Sequence, residues 1–140
     1  MKRKTILSDY IDYNFSLIAI CTEDEDFKIC WKLNKLFSFD FARQSDLEIT
    51  YGSGKKQGRF PVFSFLDEDL GLHYYLISNR NNSFSLVPEH KKVDYFLKIT
   101  GEQEWVNMDE IIKKIRTIST VKMAFPINPV DLTKGDNLIF

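Results

Sequence analysis

Glu89, His90 and Asp94 fall close together in the stretch "LVPEHKKVDYF". Two carboxylates and an imidazole are the residue types of general acid–base catalysis, in which one positioned group gives a proton and another takes one. In an extended chain His90 and Asp94 share a face and Glu89 points the other way, so the carboxylates act together only if the backbone turns. Pro88 makes a turn or bulge the expectation. Its ring fixes φ, it has no N–H to donate, and it holds Val87 in extended geometry. At such a turn Glu89 or Asp94 would accept backbone N–H groups. This backbone-shaping role is the expected one, ahead of acid–base work.

Other constellations carry less. His73, His90, Cys21 and Cys30 supply zinc-ligand types, but no CxxC or HxxxH spacing joins them, so no metal site is expected. There is no G-x-S-x-G elbow, G-x-G-x-x-G turn or G-x-x-x-x-G-K-[ST] loop. "GSGKKQG", with Lys55 and Lys56, reads as a hairpin loop with solvated lysines. No catalytic residue, metal or cofactor is expected.

The elements that must position these residues follow from periodicity. "NFSLIAICT" (Asn14–Thr22) is a nearly continuous apolar run, the pattern of a strand buried on both faces. Thr22 and Glu25 have capping-box spacing at the start of a first helix. Its Phe27, Cys30, Trp31 and Phe37 are expected to lay an aromatic face on the core. "SDLEITYG" alternates as a half-exposed strand. Two or three more strands follow, punctuated by "DEDLG" (Asp67–Gly71) and "SNRNNS" (Ser78–Ser83). "VDYFLKITG" (Val93–Gly101) is a further strand, with Val93, Tyr95, Leu97 and Ile99 expected on one face. Asn107 caps a second helix, with Glu110 three residues on and an apolar stripe of Met108, Ile111, Ile112, Ile115 and Ile118. "TVKMAFPI" returns as a strand, and the apolar end of the tail is expected to dock on the domain. Consecutive strands with short turns imply an α+β fold: an antiparallel β-meander sheet of five to six strands with two helices packed on it, in a single domain spanning 1–140.

Composition narrows the function classes. The 140 residues are 44% hydrophobic and include twelve Phe and six Tyr, which excludes intrinsic disorder. A formal charge of -1 gives no global attraction to a phosphate backbone. Ser8, Asp9, Tyr10 and Asp12 break any apolar run after the basic start, and no stretch has the length of a membrane span. Two cysteines without a pair motif fit a reducing compartment, and a cytoplasmic location is expected.

Val87-Pro88-Glu89, three intervening residues and Val93-Asp94-Tyr95 resemble the signature of the bacterial IPExxxVDY family, with Val87 in place of isoleucine. "YNFSLIAICT", "KICWKLNKLF", "DYFLKITG" and "VKMAFPINPVDLTKGDNLIF" are similar to it as well, so the resemblance runs from about Tyr13 to Phe140. It implies a small free-standing bacterial cytoplasmic domain and carries no assigned reaction, ligand or catalytic residue.

The sheet is also rich in aromatics: Phe60, Phe63, Phe65, Tyr74, Tyr75, Tyr95 and Phe96. Parity sends them to both faces. If two helices cover one face, the other would expose aromatic surface, the mark of an interface. The leading expectation is therefore a non-enzymatic domain acting through protein–protein contacts or as a homodimer. RNA or nucleotide binding through an aromatic sheet face and the Lys55/Lys56 loop is the second reading. An enzyme using Glu89, His90 or Asp94 is the third.

Overall fold

The computed structural model describes residues 14–51, 56–81 and 84–140. Its centre is a six-stranded, wholly antiparallel sheet in the order β10-β1-β9-β6-β5-β2. In chain order, β1 is Ser16–Thr22, α1 Asp26–Phe37, β2 Ala42–Arg43, β3 Leu47–Tyr51, β4 Lys56–Phe60, β5 Val62–Asp67 and β6 Leu72–Ser78. There follow β7 Arg80–Asn81, β8 Phe84–Ser85, β9 Tyr95–Gly101, α2 Met108–Ile115 and β10 Val121–Ile127. The β5–β6–β9 run is the expected meander, and β1 inserts between β9 and β10. Cover on both faces of the sheet explains why β1 reads as an unbroken apolar run: Leu17, Ile18, Ala19 and Ile20 are all fully buried.

Parity divides the interior into two cores. Ile18 and Ile20, Leu72, Tyr74 and Leu76, and Tyr95, Leu97 and Ile99 point to the helices, where Ile29, Leu33, Ile112 and Ile115 meet them. Leu17, Ala19, Ile77 and Phe96 point to the other face. That face is covered as well, by Phe60 of the β3–β4 hairpin, by Leu86, Val87 and Val93, and by Leu132 and Leu138 of the tail. The sheet aromatics are spent in these cores; none of Phe60, Phe63, Phe65, Tyr74, Tyr75, Tyr95 and Phe96 is exposed.

Three local readings change. Thr22 and Glu25 form no capping box. The Thr22 hydroxyl donates to the Thr120 carbonyl at 2.8 Å, and Glu25 becomes the N-cap without a side-chain bond. On α1 the sheet takes the Ile29, Cys30 and Leu33 stripe. Phe27 and Trp31 belong to a second stripe roughly half a turn away, and are left 62% and 57% exposed. Val93 precedes β9 rather than opening it, so parity does not apply, and it packs in the tail-side core while Tyr95, Leu97 and Ile99 face the helices. Lys55 lies outside the described residues, while Lys56 opens β4, which pairs antiparallel with β3. Asn107 does cap α2, its side chain accepting from the Glu110 N–H at 3.2 Å.

The tail docks through polar ties as well as leucines. Asn137 Nδ2 donates to the Leu86 carbonyl at 2.9 Å, and Lys98 Nζ donates to the Leu138 carbonyl at 2.5 Å. At the opposite end from Thr22, the β5–β6 turn and the end of β9 approach so closely that only glycine fits. Gly101, at φ +106°, would set a Cβ 2.0 Å from the Gly71 carbonyl oxygen. Among the described residues, no helix is long and apolar enough to cross a membrane.

Candidate functional site

The segment singled out by its chemistry folds as a tight connection between β8 and β9. Pro88 takes the first position of a short 3₁₀ turn, Pro88–His90, where its missing N–H costs nothing. Val87 before it is extended and fully buried. What holds this connection is Asn79, itself 0% exposed. Its Oδ1 accepts from the Val87 N–H at 2.9 Å, and its Nδ2 donates to the carbonyls of His90 and Val93, both at 2.8 Å. Its own N–H donates to the Asp94 carbonyl, and its carbonyl accepts from the Leu86 N–H. One amide thus fixes both ends of the turn. Composition placed Asn79 inside a polar turn, and nothing in the sequence marks it as the buried member.

Glu89, His90 and Asp94 are not brought together as a proton-transfer group. The Glu89 carboxylate accepts from the Thr133 N–H and ties down the tail. His90 contributes its carbonyl to Asn79 and to the Val93 N–H. Asp94 Oδ2 accepts from the Thr22 N–H at 2.8 Å, and Oδ1 pairs with the Arg80 guanidinium. Both carboxylates therefore bind backbone N–H groups, but of distant segments rather than of their own turn.

Asp94 also lines a cleft of about 610 Å³, where β1 and β6 end and β9 and β10 begin. Cys21, Thr22, Arg80, Lys92, Tyr95 and Lys122 contribute to its walls, together with the acidic lead into α1. The charges are largely matched against each other. Lys122 bonds Glu23 at 2.8 Å, which lowers the carboxyl of Glu23 and raises the ammonium of Lys122. Burial alone would raise the Asp24 carboxyl, but hydrogen bonds from Lys32 and Thr120 outweigh it and hold the group low. Burial, and then the Asp94 charge, push the Cys21 thiol up, away from the thiolate a nucleophile needs. Burial pushes Cys30 up to about 11. Tyr95 donates its hydroxyl to the Asp24 carbonyl at 2.6 Å, and burial raises its pKa strongly. Among the described residues, no group of three or more His, Cys, Asp or Glu side chains could hold a metal ion. His73 stands apart, its Nδ1 3.1 Å from the Tyr75 hydroxyl.

These partners separate the two jobs of Asp94. Asp94→Ala strands the Thr22 N–H, whose residue is almost fully buried, and should cost about 2 kcal/mol. Arg80 is half exposed, so Arg80→Ala should cost under about 1 kcal/mol. Urea midpoints of the two variants check this; an Arg80 loss equal to the Asp94 loss would make the ion pair the dominant tie.

No family model, no curated protein and no solved structure matches this chain.

Proposed function

We propose that this chain is a non-enzymatic domain that works through protein contact, and that its first partner is a second copy of itself, met through α1. The observation that carries this reading is the exposed pair Phe27 and Trp31, one helical turn apart on a helix whose other side is anchored by Ile29 and Leu33. With both sheet faces covered, large apolar rings left in water side by side mark an interface. The exposed side of α1 is also self-complementary. Glu25 stands at its start and Lys35 near its end, where the Lys35 ammonium lies 4.8 Å from the centre of the Trp31 ring. Antiparallel packing of α1 on its copy interleaves the aromatic pairs and sets each Glu25 near the other Lys35, with opposed helix dipoles.

The sheet edges favour α1 over strand addition. At β10 the Ala124 carbonyl accepts from Arg116 at 2.7 and 3.0 Å, and Pro126, two residues on, has no N–H on that same side. The other edge, β2, is two residues long. Membership of the family that Val87–Tyr95 resembles, and a cytoplasmic location, are part of the same proposal. They rest on the sequence alone.

Sedimentation from about 1 μM to 1 mM tests the dimer. A small interface centred on two aromatic pairs should dissociate with a Kd on the order of 10–100 μM. Phe27→Ala with Trp31→Ala removes no core side chain and should leave a folded monomer. A wild-type chain that stays monomeric at 1 mM, or a double variant that dimerises as well as the wild type, overturns the reading.

A further inference from the structure

A second depression lies at the opposite end of the sheet from Asp94. It holds about 360 Å³ between the end of α1, the β5–β6 turn, the Gln103–Trp105 turn and α2. Four aromatic rings line it: Phe37, Phe39, Tyr74 and Trp105. Three of them touch in series, Phe37 stacked on Phe39 with ring centres 5.1 Å apart and Phe39 tilted against Tyr74 at 4.3 Å. Leu70 and Trp105, both exposed, stand on its rim.

The Tyr74 hydroxyl is the decisive group. Tyr74 is 6% exposed, and no hydrogen-bond partner for its oxygen is found among the described residues. No fully enclosed side-chain oxygen among the described residues is left without a partner, so the Tyr74 hydroxyl keeps some accessible surface, and Tyr74 lines the groove. A polar atom this deep, unpaired within the protein, is a place for a ligand's polar atom. Burial, then the charge of Asp67, raise its pKa, so it stays a neutral phenol.

The charge around the groove selects the sign of the ligand. The turn supplies Asp67, Glu68 and Asp69, and the β9–α2 link supplies Glu102 and Glu104, with Glu110 on the first turn of α2. The close approach of Gly71 to Gly101 sets these two acidic segments side by side. Asp67 Oδ1 already accepts from the Asp69 and Leu70 N–H groups. The one base lining the groove, Lys114, lies 3.8 Å from Glu110 and 5.9 Å over the Phe37 ring. The aromatic wall thus already receives one ammonium from the chain itself.

We propose that this groove binds a small primary arylalkyl amine. Its ring packs on the Phe39–Tyr74 pair beneath Trp105, and its ammonium faces the aromatic π-clouds and donates to the Tyr74 oxygen beside Asp67 and Glu110, the two acids that line the groove. Ammonium groups are drawn to aromatic faces, more so when partly desolvated, and a cavity of this size suits a compact ligand.

The test uses the full chain carrying Trp31→Phe, which leaves Trp105 as the sole indole of the two in the sequence. 2-Phenylethylamine should change Trp105 emission with a Kd on the order of 0.1–1 mM, in keeping with so small a ligand. 2-Phenylethanol, equal in shape but uncharged, should bind about tenfold more weakly, and 3-phenylpropionate should not bind. Tyr74→Phe keeps the stacked ring and should weaken the amine about fivefold. Asp67→Asn keeps a turn-capping oxygen and should weaken it similarly. Equal binding of amine and alcohol, an unchanged Kd in Tyr74→Phe, or silence of Trp105 up to 10 mM amine would each overturn the proposal. So would a change of oligomeric state on Trp105→Ala without amine binding, since the groove would then belong to a second copy.

Discussion

Asn79→Ala should lower the unfolding free energy by about 4 kcal/mol, the largest loss expected for a polar side chain in this protein. The truncation removes a partner from three backbone groups. The Val87 N–H and the Val93 carbonyl lie in fully or nearly fully buried residues, and each then costs about 2 kcal/mol. The His90 carbonyl loses less, because it still accepts from the Val93 N–H. A loss this size exceeds that of an ordinary surface substitution severalfold. Urea unfolding measures it directly, and a midpoint within about 1 kcal/mol of wild type would show that the β8–β9 connection holds without its clamp.

Asn79→Asp sharpens the test, because it preserves shape and removes only the donor. The carboxylate can still accept from the Val87 N–H, but its second oxygen would face the His90 and Val93 carbonyls. Repulsion and burial raise the folded-state pKa of that carboxyl, so the folded protein binds the proton more tightly than the unfolded chain does. Stability of the variant should therefore climb as pH falls from 7 toward 5, since the protonated acid regains a donor. A flat profile over that window would exclude the donor bonds as the source of the loss.

How far these features could be read from residues depends on the range of the forces involved. Local periodicity carries β1, the α2 cap at Asn107 and the α+β class, because each is set within a few residues. α1 shows where that fails. Phe27–Cys30–Trp31 and Ile29–Cys30–Leu33 are two competing stripes on one helix, and only the sheet decides which is buried. Thr22 reads as a cap, yet its N–H and hydroxyl are claimed by Asp94 and Thr120, which are remote in the chain. The "PEHKK" turn follows from Pro88, but not which N–H groups Glu89 and Asp94 would receive. Asn79 is illegible for the same reason: an asparagine among Ser78, Arg80 and Asn81 has the composition of a solvated turn. The second cover of the sheet, hairpin plus tail, could not be inferred from strand parity.

Lys98 gives the other large effect, and it turns on pH. The side chain projects from β9 into the tail-side core and is 2% exposed. No carboxylate is paired with it among the described residues. Its ammonium meets the Leu138 carbonyl and the rings of Phe15, Tyr75 and Phe140, at 5.0, 5.2 and 3.8 Å to their centres. Burial lowers its pKa from the usual 10.5 to about 8. Between those values the unfolded chain holds a proton that the folded one has released, so this group's contribution to stability rises with pH across that window. Below pH 8 the full cost of burying the charge is present. The shift corresponds to about 3 kcal/mol. Lys98→Met removes that cost but leaves the Leu138 carbonyl without its donor, a loss of about 1–3 kcal/mol. At pH 7 the variant should therefore match or exceed the wild type, and by pH 10.5 the wild type should be the more stable. The difference between the two proteins isolates Lys98 from other groups that titrate nearby in pH. Cys21, Cys30 and Tyr95, all raised by burial, make both proteins lose stability at alkaline pH, and His73 is lowered by burial and by the Lys98 charge. Urea unfolding at pH 7, 8, 9 and 10 decides the matter. A wild-type-minus-variant difference that moves by less than about 1 kcal/mol over that range would mean that Lys98 is solvated in solution, and that the tail does not seal it.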